Sequence, residues 1–399
     1  MNRLYKFLLI PILSIFFISC NEDPTSTGAG LLPEDGKIQF KQFDTQNFPV
    51  TQSSATFNAD VDLDQSITLL LGKNSYAESV MLLNFPNPFS DSMITYYKNN
   101  QFKVRKTWME MMPVYKLGEE SRTFDFNVHQ IRSAWSSAGF DKDSLAQLNY
   151  DAVNVSFDKN ITDSLITFKI NNSVAEEMLN YQANSTTGTK NYGFYFKPTS
   201  NCERIVGFNS YDGFLDGEFL PVLKIEYELK TTTVDTILVS PLVDIHVVTG
   251  SVPTQNQFIY LQGGLVSRGF LSFDLSSLPK EIIVNSAKLE LTVDTLKSFN
   301  GVPASDSIEV KALKDSVAKT FTSDSLIVSV LKKTNNIYSG EITWLIQRWL
   351  SSTIAGVNQG MQLSLADEVR SASRIVIHGS RSTDLLKRPR LKIVYMQKK

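Results

Sequence analysis

Apolar and polar residues alternate with period two along much of the chain, as in Ala287-Lys288-Leu289-Glu290-Leu291-Thr292-Val293 and Phe102-Lys103-Val104-Arg105. Such alternation puts every second side chain on one face, the mark of a strand with one buried and one solvated side. Two segments depart from it. Val174, Ala175 and Met178 within 171–179, and Leu345, Ile346 and Trp349 within 342–350, recur at helical spacing and predict one short amphipathic helix each.

These segments belong to an internal repeat. Pro389-Arg390-Leu391-Lys392-Ile393-Val394-Tyr395 echoes Pro221-Val222-Leu223-Lys224-Ile225-Glu226-Tyr227, Arg374-Ile375-Val376 echoes Arg204-Ile205-Val206, and Asn358-Gln359-Gly360-Met361-Gln362-Leu363 echoes Asn191-Tyr192-Gly193-Phe194-Tyr195-Phe196. The matches keep their order at a nearly constant offset, and the two helical segments fall in register with them. Earlier in each copy, Ile259-Tyr260-Leu261 through Phe273 matches Leu69-Leu70-Leu71 through Phe85, and Ala287–Val293 matches Asn100–Lys106. Short alternating strands with a single helix per copy predict an all-β chain of two tandem antiparallel β-sandwich domains, 38–229 and 236–399. The join falls near Lys230-Thr231-Thr232-Thr233.

The second copy carries a resemblance. Arg268-Gly269-Phe270-Leu271-Ser272-Phe273-Asp274-Leu275-Ser276-Ser277-Leu278-Pro279, then Val284 to Leu291, Ile342 to Leu350 and Pro389 to Tyr395, resembles the DNRLRE-type domain. That family has a jelly-roll fold and occurs on secreted and cell-surface bacterial proteins, often beside enzymes or in arrays, so the resemblance implies a jelly roll for each copy. The first copy departs from it: Glu78-Ser79-Val80-Met81-Leu82-Leu83 lacks the arginine, and Trp108 to Met112 has no counterpart.

The N-terminus reads as an address. Arg3 and Lys6 precede an apolar run from Phe7 to Ile18, short of the roughly 20 residues that span a bilayer and suited to a cleaved signal peptide, residues 1–19. Phe17-Ile18-Ser19-Cys20 resembles the lipobox of bacterial lipoproteins, which implies acyl chains on Cys20 as the partner contact with the membrane. Residues 20–37, with Asn21-Glu22-Asp23-Pro24 and Thr25-Ser26-Thr27-Gly28-Ala29-Gly30, predict a flexible tether. The acidic pair after Cys20 looks like a surface-export signal, and Asn21 stands where inner-membrane retention places Asp. Both point to the outer membrane, facing the cell surface.

Composition removes other classes. Lys and Arg total 39 against 41 Asp and Glu, a net charge of −2 with no long basic run, so there is no electrostatic footprint for nucleic acid. Two cysteines build neither a disulfide framework nor a thiolate metal site, and Cys202 is the single thiol left in a mature chain starting at Cys20.

The search for catalytic chemistry comes back empty. His129, His246 and His378 lie in separate segments without metal-ligand spacing, and His246 and His378 read as strand positions. No Gly-x-Ser-x-Gly elbow occurs, and Gly263-Gly264 precedes a strand, so it reads as a hairpin turn. Asp60-Val61-Asp62-Leu63-Asp64 opens like a calcium loop, but Gln65 and Leu71 stand where an EF-hand needs Gly and Glu. No enzyme activity, metal or cofactor is expected.

Sugar binding asks for exposed aromatic platforms beside hydrogen-bonding groups. Aromatics unmatched between the copies are the candidates: Trp108, Tyr96, Tyr97, Tyr211 and Phe214, while Trp135, Trp344 and Trp349 sit among apolar neighbours and are expected in the core. Asp followed by Ser or Thr and an apolar residue is over-represented. Such triplets make a turn leading into a strand, and they also resemble the O-glycosylation sequon of exported proteins in some Gram-negative phyla, which marks Ser92, Ser144, Ser164, Thr236, Thr295, Ser307, Ser316 and Ser325 as candidate acceptors. The expected function is a non-catalytic, lipid-anchored envelope protein presenting a binding or scaffolding surface to an envelope protein partner. The alternative is a carbohydrate-binding surface lipoprotein for polysaccharide capture.

Overall fold

The computed structural model describes residues 40–59, 61–64, 66–186, 188–211, 219–230, 233–279, 282–321, 328–351 and 358–396. The expected signal peptide and tether, Cys20, Asp60, Phe214 and Ser325 lie outside the described residues. The protein is mostly β, 47% strand and 11% helix, in several antiparallel sheets, one of them curled into a half-barrel. No helix among the described residues is long and apolar enough to cross a membrane.

The chain opens with β1 (Phe40–Asp44), β2 (Gln52–Asn58), β3 (Thr68–Lys73), β4 (Ala77–Asn84) and helix α1 (Asp91–Lys98). Next come β5 (Phe102–Met111), β6 (Pro113–Leu117), β7 (Phe126–Gln130), α2 (Lys142–Ala146), β8 (Ser156–Ile161), β9 (Ile166–Ile170) and α3 (Asn172–Ala183). They are followed by β10 (Phe194–Pro198), β11 (Ile205–Asn209), β12 (Val222–Leu229), β13 (Thr233–Val239), β14 (Val243–Gly250), β15 (Phe258–Gln262), β16 (Ser267–Phe273) and β17 (Ile283–Thr292). The last stretch holds β18 (Ser307–Asp315), β19 (Thr320–Phe321), β20 (Ser329–Thr334), β21 (Ile337–Glu341), α4 (Thr343–Leu350), β22 (Met361–Leu365), β23 (Arg374–His378) and β24 (Arg390–Met396).

In the first half, a sheet ordered β6-β11-β3-β4-β10-β7, with β14 on β4, and a sheet ordered β13-β12-β5-β9-β8 share one core. Leu69, Met81, Phe126 and Phe196 come from the former, and Met109, Phe168, Leu223 and Ile225 from the latter. In the second half a twelve-stranded sheet runs β1-β24-β17-β21-β20-β18-β22-β16-β15-β23, with β2 on β16, and strands along its whole length feed one core.

The repeat is reproduced strand for strand. β12 pairs with β5 as β24 pairs with β17, β10 with β4 as β22 with β16, and β11 with β3 as β23 with β15. Each copy also starts its β10 or β22 with the same device. Asn191 Oδ1 accepts from the Gly193 N–H at 2.8 Å and Asn358 Oδ1 from the Gly360 N–H at 3.1 Å, both glycines having positive φ. A Cβ on Gly193 would lie 2.1 Å from the Leu83 carbonyl oxygen, so the strand meets β4 flush because that atom is missing.

The two strands that open each copy are exchanged between the halves. β13 and β14 pair with β12 and β4 in the first half, while β1 and β2 take the equivalent places on β24 and β16 in the second. Phe43 of β1 enters the second core, and Arg390 holds Asp44 with bonds of 2.9 and 2.5 Å. The sequence boundaries 38–229 and 236–399 therefore run between strands that the sheets join. The halves also touch directly: Tyr115 Oη receives the Ala372 N–H at 3.1 Å, Lys116 and Val302 form a β-bridge, and the Arg374 guanidinium lies 4.0 Å from the Tyr76 ring centroid.

Among the described residues one α-helix per copy holds for the second half, where α4 buries Leu345 and Ile346, but the first half has three. α3 is the expected one and buries Val174, Ala175, Met178 and Leu179. α1 and α2 bury no residue fully, although Met93, Ile94, Tyr96 and Tyr97 of α1 pack partly against the first core. They are set by caps: Ser90 accepts from Met93 N, and Asp141 accepts from Asp143 N and Ser144 N at 3.1 and 2.8 Å. Trp344 also departs from expectation. It is 41% exposed on the outer side of α4, with Arg348 over its ring at 5.2 Å, because Leu345 and Ile346 occupy the helix face turned to the core.

Candidate functional site

Trp108 sits in the middle of β5, between buried Thr107 and Met109, so its indole stands on the outer face of the five-stranded sheet. Strand register places four further side chains in one row with it. Leu238 of β13 is opposite Lys224 of β12, Lys224 opposite Trp108, Trp108 opposite Lys169 of β9, and Lys169 opposite Phe157 of β8. The row crosses every strand of the sheet, apolar and cationic by turns. Its ends are open to solvent, Leu238 being 64% and Phe157 43% exposed.

The polar groups around the indole are fixed by one another. Trp108 Nε1 donates to Glu110 Oε1 at 2.9 Å, Lys224 Nζ meets Glu110 Oε2 at 2.8 Å, and Lys106 Nζ lies 4.3 Å from the indole centroid. Lys169 Nζ pairs with Asp158 at 2.8 Å and lies 5.8 Å from the Phe157 ring. Partial burial raises the Glu110 carboxyl, but the hydrogen bonds from Lys224 and Trp108 outweigh it and hold the group below the ordinary range. The result is a row holding one indole and one phenyl, each with a lysine ammonium over its ring and with Glu110 and Asp158 beside them. It can stack against a planar or ring-shaped ligand face and hydrogen-bond at the rim.

The other unmatched aromatics do not join this row. Tyr96 and Tyr97 are half-buried on α1 and pack against the first core, with Lys230 Nζ 4.9 Å from the Tyr96 ring. Tyr211 lies beyond the end of β11, its N–H held by Asp244 at 2.7 Å. Lys224, Lys169, Phe157 and Leu238 carry no local sign of nearness to Trp108 because β5 pairs with β12 and with β9 across long separations. Only the exposed apolar residues among polar neighbours hinted at them.

The Asp-Ser/Thr triplets fall into several environments. Ser92 and Ser144 lie in the first turns of α1 and α2 rather than before strands, Ser92 exposed and Ser144 bonded to Asp141 at 2.9 Å. Ser164 occupies an exposed turn leading into β9, as read from the sequence. Thr236 is half-buried in β13. Thr295 and Ser316 lie in turns capped by Asp294 and Asp315, but the following Leu296 and Val317 project into solvent, 92% and 89% exposed, instead of starting strands. Ser307 is buried, with Oγ 2.6 Å from Asp306 Oδ1 and 2.7 Å from Lys332 Nζ.

His246, read as a strand position, lies fully buried in β14 with neither ring nitrogen hydrogen-bonded, and burial pushes its pKa down to about 4. Among the described residues no three His, Cys, Asp or Glu side chains come together as a metal-holding group. No family model, curated protein or solved structure matches the chain.

Proposed function

We propose that this is a non-catalytic envelope lipoprotein, held in the outer membrane through Cys20 and facing the cell surface, that presents the Trp108 face of the first half as its binding surface. The observation that carries this reading is the continuous row Leu238–Lys224–Trp108–Lys169–Phe157 on the outer face of the five-stranded sheet, half-buried at its centre and open to solvent at its two apolar ends. The two halves are read as tandem jelly rolls of the DNRLRE type, resting on the resemblance of 268–279 and the segments after it. The exposed hydroxyls of Ser92, Ser164 and Thr295 are the favoured O-glycosylation acceptors.

Radioactive palmitate supplied to cells is expected to label the wild type and not Cys20→Ala; an unlabelled wild type ends the anchor. For the surface, cross-linking through a photoreactive group at Leu238 is expected to capture an envelope component, with capture lowered at least tenfold in Trp108→Ala. Equal capture by the variant removes the face from the proposal. Capture of polysaccharide carries the second reading, carbohydrate capture, which the indole platform with its hydrogen-bonding rim favours.

A further inference from the structure

Two of the described recesses, one in each half, occupy equivalent places in the repeat. A cleft of about 330 Å³ in the first half is lined by Asn84, Phe85, Met178, Tyr181, Asn191 and Val243, among others. A cleft of about 600 Å³ in the second is lined by Ser53, Ser272, Phe273, Trp349 and Asn358, among others. The repeat aligns Asn84 with Ser272, Phe85 with Phe273, Met178 with Trp349 and Asn191 with Asn358. The exchanged strands complete the match, because Val243 faces Asn84 across β14 and β4 as Ser53 faces Ser272 across β2 and β16.

The fold builds the recess the same way twice. A short helix ends beside the Asn-x-Gly turn that starts β10 or β22 flush against β4 or β16. The space beyond the strand end is then floored by a buried phenyl ring, Phe85 or Phe273, and walled by the helix. A binding role asks for polar groups with capacity left over. Asn84, Asn87 and Tyr181 in the first cleft, and Ser53, Ser272 and the Trp349 indole N–H in the second, make no side-chain hydrogen bond to another described residue.

The charges differ, Lys190 lining the first cleft and Asp274 the second. What the clefts share is an aromatic wall, an apolar floor and unspent uncharged donors and acceptors. That combination suits a ligand with an apolar face and a rim of hydroxyls. We propose that each half binds one neutral pyranose unit in this cleft, so that a single chain grips a polysaccharide at two points, with avidity set by the spacing between them. The proposal rests on the carbohydrate reading and moves its principal contacts from the Trp108 face to the paired clefts.

Calorimetry on the full chain in detergent micelles, with cellohexaose, mannohexaose, chitohexaose and laminarihexaose as probes, tests it. The expected result is two sites per chain for at least one hexaose. Trp349→Ala should weaken one site at least tenfold and Tyr181→Ala the other. Because Trp349 also packs against the second core, Ser53→Trp serves beside it: it fills the second cleft from an exposed position and should abolish that site without disturbing the core. One site per chain, or binding indifferent to all three variants, overturns the paired clefts. If such binding fails in Trp108→Ala, the carbohydrate reading survives on the sheet face. Absence of binding to all four hexaoses overturns both.

Discussion

Arg204 and Arg374 occupy the same place in the two copies, yet they are neutralised differently. Arg204 Nη2 meets Asp163 at 3.0 Å and its Nη1 donates to the Glu120 carbonyl at 3.1 Å, all within the first half. Arg374 meets no carboxylate: Nε donates to Gln262 at 2.7 Å, Nη2 to the Ser251 carbonyl at 2.9 Å, and the guanidinium stacks on Tyr76 of the other half. Burial without a counter-charge lowers its pKa, although Tyr76 and Tyr260 pull it back. A second pair differs in the same way. Thr56 on β2 is spent on the Tyr260 N–H at 2.9 Å, whereas His246, its counterpart on β14, has no partner. The first half is thus self-contained in its charges but tolerates an orphan imidazole in a borrowed strand. The second half instead has Arg374 reaching across the junction to the Tyr76 ring.

Cutting the chain is the strongest way to break the contrast. A fragment spanning 66–250 keeps every strand of the two sheets that share the first core, including β13 and β14, and is expected to melt cooperatively. A fragment spanning 38–229 lacks both and should melt without a cooperative transition, as followed by circular dichroism. Matching melts would mean that the exchanged strands contribute nothing.

The orphan imidazole supplies the next effect. Its folded pKa, about 4, is below the ordinary 6.5, so on acidification the unfolded chain takes a proton that the folded chain refuses. Stability should therefore be intact above pH 6.5 and fall between there and about pH 4, by roughly 3 kcal/mol in total. His129 and His378 are lowered in the same direction by burial and add to the trend. In His246→Leu the His246 share of the slope should vanish in urea titrations; an unchanged slope would show that the imidazole is already charged.

Smaller again is the arginine contrast. Arg374→Ala removes charged hydrogen bonds and a desolvated stacking contact together and should cost about 2–3 kcal/mol. Arg204→Ala leaves a partly exposed Asp163 that water can serve, and should cost about 1 kcal/mol. Equal losses in thermal melts would erase the distinction. Least of all, Trp108→Ala should move stability by no more than about 0.5 kcal/mol, since the indole stands on the outer face. A larger loss would make that residue part of the structure and not of a binding surface.

Local signals in the sequence carried far, and pairings between distant segments did not show. The helices with buried stripes, α3 and α4, were legible from spacing, as were the alternating β5 and β17. The capped helices α1 and α2 were not, because the same Asp-Ser chemistry that starts a turn also starts a helix; in α1 the spacing of Met93, Ile94 and Tyr97 was the signal that separates the two. The exchange of β1–β2 with β13–β14 leaves no local trace, since either strand pair carries the alternation that fits either sheet. The unmatched-aromatic rule located Trp108 but passed over the clefts, whose Trp349 and Met178 are matched positions. A residue that packs in one copy can line a recess in both.

Strand β1 pairs Phe40 with Met396, nearly the full length of the chain apart. As the polypeptide is made from its N-terminus, β1 and β2 appear before their partners and must wait, unpaired, until β16 and finally β24 arrive. Closing so long a loop is slow. The twelve-stranded sheet therefore completes last, and until then its β17 edge stays open to any other strand that reaches it.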